Sequence, residues 1–130
     1  MIKKLSIMTQ NDKELLLKDL CARLPYGVRY RRFAWDDKRG EECISAKIYS
    51  ISPDGYVRNY HEDESDYIDN VRPYLFPLSS ITKKRLEELS EYIDIKNAYV
   101  AVDLLNSHHI DYRGLIEKGL AIDATGKNIY

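Results

Sequence analysis

Apolar and polar positions follow two different periods along this chain. Leu16, Leu20 and Leu24 recur at i, i+4 and i+8, and Leu17 and Cys21 widen the stripe. That spacing predicts a helix over residues 11–23 with one face built for a core. Asn11 or Thr9 offers an N-cap oxygen, and Asp12 and Glu14 occupy the first turn, where the helix dipole favours negative charge. Pro25 ends the helix, because the residue before a proline avoids the helical region. Beyond it the period becomes two, predicting strands over 28–35, 42–52 and 56–61. Asp36-Asp37-Lys38-Arg39-Gly40 and Ser52-Pro53-Asp54-Gly55 punctuate them, the latter a type I turn signature. These three strands form an antiparallel meander. A fourth over 67–75 is expected at an edge, or split, since Pro73 has no N–H for a ladder.

Thr82 or Ser80 then caps a second helix whose apolar stripe is Leu86, Leu89 and Ile93. Residues 98–108 read as a helix burying Val102 and Leu105, with a strand through Tyr99-Val100-Ala101-Val102 as the alternative. Asp111 caps a short helix through Lys118 that Gly119 closes. Leu120 and Ile122 return to the core, and 124–130 form a polar tail. The expected fold is one α+β domain over residues 1–130: an N-terminal helix, a three- to four-stranded antiparallel meander, then two or three C-terminal helices. In its tightest version the meander closes as an SH3-like small barrel.

Composition changes this picture only in part. A chain of 130 residues can bury a core without disulfides or metal. Its 20 basic and 21 acidic side chains leave a charge of −1, which argues against a bulk electrostatic grip on nucleic acid. The opening Met1-Ile2-Lys3-Lys4-Leu5-Ser6-Ile7-Met8 starts like a signal peptide, but its apolar stretch stops at Thr9-Gln10-Asn11-Asp12. No segment approaches a membrane span of roughly 18 apolar residues. A cytoplasmic protein is expected. Cys21 and Cys43 are too few for a disulfide framework and fit no metal spacing, so two reduced thiols are expected, with a single bridge as the alternative. No phosphate loop, nucleophile elbow or dinucleotide fingerprint is present, and no cofactor is expected.

The aromatic residues are uneven: 11 Tyr against 2 Phe and 1 Trp. Seven of the 11 tyrosines (26, 30, 49, 56, 60, 67 and 74) lie in the predicted β region or its flanks. Tyrosine keeps a polar tip where phenylalanine does not, which suits a sheet face meeting water or a partner. In Arg29-Tyr30-Arg31-Arg32-Phe33, strand alternation puts Arg29 and Arg31 on one face with Phe33 and Trp35, and Tyr30 and Arg32 on the other. Guanidinium groups beside rings suit a protein hot spot or a single-stranded nucleic-acid platform. The plainer reading is an edge strand guarded by charge. The expected contact surface is Arg29, Arg31, Phe33, Trp35, Tyr56, Tyr60 and Tyr74, for a protein partner or, alternatively, nucleic acid.

Two clusters invite other chemistry. The acidic loop over 61–66 is expected exposed, with Glu62, Asp63, Glu64, Asp66 and Asp69 answering the arginines through salt bridges. It lacks the glycine of a calcium loop. His108, His109 and Asp111 raise a third, hydrolase-like reading. Adjacent histidines point about 100° apart on a helix and do not form the i, i+4 pair that grips zinc. No nucleophile accompanies them, so no catalytic residue or metal ligand is assigned.

Three segments carry a resemblance: Leu15-Leu16-Leu17-Lys18-Asp19-Leu20-Cys21-Ala22-Arg23-Leu24-Pro25-Tyr26-Gly27-Val28, Val71-Arg72-Pro73-Tyr74-Leu75-Phe76-Pro77-Leu78-Ser79-Ser80, and Asp111-Tyr112-Arg113-Gly114-Leu115-Ile116-Glu117-Lys118-Gly119-Leu120-Ala121-Ile122. They are similar to a group of small proteins of phages and prophages of gut bacteria. That group has no established activity, fold or site residues. The resemblance implies a setting, the bacterial cytoplasm and a phage-encoded accessory role, and no chemistry.

Overall fold

Thr9 starts the first helix. Its Oγ1 accepts the Asp12 N–H at 3.1 Å, and α1 runs Gln10–Arg23; such a cap is worth about 1 kcal/mol. Leu16, Asp19, Leu20 and Arg23 form its buried face. That face leaves Leu17 half-buried and turns Cys21 to solvent, where the sequence pattern had placed it on the core stripe. Gly27 then caps the following turn in the left-handed region, φ 71°. The positive φ favours glycine there, and a Cβ would also displace the flexible end of Lys47, whose Cε would lie 2.8 Å away.

The computed structural model describes residues 8–32, 46–60, 65–92 and 98–130. Phe33, Trp35, Cys43 and the acidic residues 62–64 lie outside them, and with them the Cys21–Cys43 pairing. The fold is α+β, with a mixed sheet of seven short strands among the described residues. They are β1 (Arg29–Arg32), β2 (Ala46–Ile51), β3 (Tyr56–Asn59), β4 (Ser65–Tyr67), β5 (Val71–Pro77), β6 (Ile110–Asp111) and β7 (Ile122–Asp123). The order across the sheet is β4-β3-β2-β1-β5-β6, and β7 also pairs with β5. Pairings β1–β2, β2–β3, β3–β4 and β1–β5 are antiparallel; β5–β6 and β5–β7 are parallel.

The sheet is therefore wider than the three or four strands expected, and β5 is internal. Its Val71, Arg72 and Pro73 pair with β1, while β7 and β6 pair only from Tyr74 onward. Pro73 precedes that second set of pairings, so its missing N–H takes nothing from them. Val28, Tyr30, Ile48, Val57, Val71 and Leu75 join Leu16 and Leu20 of α1 in one core, closed by Leu115 and Leu120. Burying each such side chain contributes about 1.5–3 kcal/mol before entropy is counted.

Helices α2 (Lys83–Tyr92) and α3 (Ala98–Ser107) follow. Their apolar faces differ from the expected ones. Leu86 and Val102 are exposed, whereas Ala101 and Asn106 of α3 are buried. No third helix follows Asp111. Its carboxylate accepts the N–H groups of Leu115 and Ile116, both at 2.9 Å, and so organises a set of turns. None of the helices among the described residues is long and apolar enough to cross a membrane.

A charged network ties α1 to this last segment. Asp19 accepts from Nε of Arg23 at 2.8 Å and from Nε of Arg113 at 3.1 Å. Arg23 also donates to the Ile110 carbonyl at 2.6 Å, and both guanidiniums lie about 5 Å from the Tyr112 ring centre. Asp19 and Arg23 are without exposure. Buried charges demand this degree of pairing, because an unpaired one is costly to desolvate.

Candidate binding surface

Strand alternation sorts the β region into an inner and an outer face. On β3, Val57 and Asn59 are buried while Tyr56 and Arg58 are exposed, and Tyr60 beyond the strand is exposed too. On β2, Ile48 is buried between exposed Lys47 and Tyr49. The ladder shifts register between Ile48 and Ser50, at Tyr49. The result is a face with three rings in water: Tyr49, Tyr56 and Tyr60 are 57%, 45% and 60% exposed. Tyr49 and Tyr60 meet edge to face at 5.2 Å, and Nζ of Lys47 lies 5.5 Å from the centre of the Tyr60 ring. Tyr56 leans on its cross-strand partner Tyr67 at 5.3 Å, over which Nζ of Lys13 also sits.

A buried polar set behind this face fixes its geometry. The Tyr30 hydroxyl donates to Asp66 at 2.7 Å and accepts from Nδ2 of Asn59 at 3.1 Å. Arg32 forms an ion pair with the same Asp66 carboxylate. Burial pushes the Tyr30 phenol far above its ordinary range, so it stays a donor. One residue from each of β1, β3 and β4 is thereby joined from within. A one-residue slip would move Tyr56 and Tyr60 inward, and these hydrogen bonds resist it.

The expected contact residues are placed unequally. Tyr56 and Tyr60 are on the exposed face. Arg29 faces Lys47 across the β1–β2 ladder, so it and Arg31, two residues on, share that side of the sheet, half-buried. Tyr74 does not belong there: it is 3% exposed, because β5 is flanked by β1 on one side and β6 and β7 on the other. Asp66, assigned to an exposed loop, is a buried β4 residue. Tyr49 and Lys47, outside the expected contact set, share this exposed face; their alternation with Ile48 was the available signal.

His108, His109 and Asp111 go to three different environments. Asp111 is occupied by the turn it caps. His109 is 9% exposed and stacks on Tyr130. Its imidazole pKa falls to about 4 through burial and then the nearby charges of Arg23 and His108. His108 accepts a hydrogen bond from Arg85. Among the described residues no group of His, Cys, Asp and Glu converges as metal ligands do. Comparison of the chain with family models, with curated proteins and with solved structures finds no match.

Proposed function

We propose that this chain is a protein-binding module without catalytic chemistry, a phage- or prophage-type accessory protein acting in the bacterial cytoplasm. The observation that carries this reading is the exposed group Tyr49, Tyr56 and Tyr60 beside Lys47 and Arg58. Rigid aromatic side chains with polar tips give large contact area at low entropic cost, and they concentrate binding energy at interfaces. The cations around them favour a partner surface that is apolar at its centre and acidic at its rim. Arg29 and Arg31 extend the same surface. The sequential antiparallel pairings of β1 to β4 support the tighter version of the fold, a meander curling toward an SH3-like small barrel.

Nucleic acid is the second reading, and the Lys47–Tyr60–Tyr49 group favours it, since bases stack on such rings. Capture from bacterial host lysate with wild type and Tyr60→Ala separates the two. The protein reading expects a nuclease-resistant partner that the variant loses. Identical capture by both proteins sinks the proposed surface. Binding of an oligothymidine at low salt that fades steeply at physiological salt supports nucleic acid instead.

A further inference from the structure

We infer that the cavity between α2, α3 and the end of β5 is a binding site for a small amphipathic carboxylate, with Arg85 as the anion's partner. The cavity has a volume of about 420 Å³, within the usual size of small-molecule pockets. Phe76, Ile81, Leu104, Leu105 and Ile110 supply apolar walls, and its polar side is Ser80, Thr82, Arg85, His108 and Thr125. That volume is enough to take an apolar body of about eight to ten carbons.

Charge selects the head group. Arg85 stands in the first turn of α2, where Thr82 caps the helix by accepting the Arg85 N–H at 3.2 Å. The helix dipole there favours an anion. The guanidinium donates to Nε2 of His108. Burial, and next the charge of Arg85, lowers the His108 pKa, so this neighbour is a neutral acceptor; Glu88 opposes that shift but does not line the cavity. Among the described residues no carboxylate forms an ion pair with Arg85. A guanidinium has five donors in a planar fork, and His108 uses one, leaving a bidentate fit for a carboxylate. One cation on an apolar cavity matches one negative charge on an apolar body.

The test is calorimetric titration of the full chain with decanoate below its micelle concentration, beside decanol and decyltrimethylammonium. Decanoate is expected to bind, the cation not to bind, and decanol to bind at least tenfold more weakly. Arg85 is on an exposed helix turn, so Arg85→Gln is expected to fold normally and to weaken decanoate at least tenfold without changing decanol. Arg85→Lys, which keeps charge but not the fork, is expected to fall between. Absence of decanoate binding, equal affinity for decanol, or an unchanged affinity in Arg85→Gln each overturns the assignment.

Discussion

His109 lies flat against Tyr130, ring centres 3.6 Å apart and planes 11° from parallel. The Tyr130 hydroxyl reaches further, donating to the Tyr74 carbonyl at 2.6 Å and accepting the Arg29 N–H at 2.9 Å. One side chain thus joins β1, β5 and the turn after α3. Tyr130→Phe keeps the stack and loses the hydroxyl, an expected cost of about 1 kcal/mol. Tyr130→Ala loses the stack as well, for roughly 2 kcal/mol in all. Urea unfolding of the two variants measures both values, and equal losses would refute a role for the stack.

His109 also makes stability pH-dependent, through its burial and the nearby charges of Arg23 and His108. The folded His109 has a pKa of about 4, against about 6.5 in an unfolded chain. Above pH 6.5 both states hold the neutral ring. As pH falls from 6.5 toward 4, the unfolded chain takes up a proton that the fold refuses, and stability declines by up to about 3 kcal/mol. Below 4 this contribution to the slope ends. His109 has φ 59°, a backbone that asparagine tolerates. His109→Asn should therefore flatten this part of the profile, and parallel profiles for the two proteins would contradict the assignment.

Asp19 is the most consequential charge in the core. Asp19→Ala leaves Arg23 buried without its carboxylate and removes the partner of Arg113, so a loss of about 3–5 kcal/mol is expected. A midpoint shift in denaturant that reports less than 1 kcal/mol, of the order of an exposed ion pair, would show that the network relaxes.

Tyr30→Phe probes the register of the exposed face. The change removes the acceptor of one Asn59 N–H and one of the hydrogen bonds to Asp66, at an expected cost of about 1–3 kcal/mol. Tyr60→Ala, on the opposite face, is expected to stay within about 0.5 kcal/mol of wild type. Thermal melts that reverse this order would place the tyrosines on the wrong faces.

The contrast between those two tyrosines shows what could be read before the structure. Alternation along one strand placed Arg29 and Arg31 opposite Tyr30, and the expected contact set included Tyr56 and Tyr60, which are exposed. The turn at Pro53-Asp54-Gly55 and α1 were equally legible, since their signals are local. Tyr74 was misplaced because its burial depends on β6 and β7, which come from more than thirty residues away in the chain. Asp66 was read in part: its ion pair with Arg32 matches the expected answer of the acidic run to the arginines, but its burial against Tyr30 was not legible, because an acidic run looks solvated on its own. Asp19 and Arg23 left only an i, i+4 spacing, which exposed pairs share.

The exposed tyrosine face is tested most directly by placing a photoreactive amino acid at position 56 or 60, and at Lys118 as a control, then irradiating in bacterial lysate. The account predicts discrete, nuclease-resistant protein adducts from positions 56 and 60 and none from 118. Equal adducts from all three positions, or adducts that nuclease removes, would contradict it.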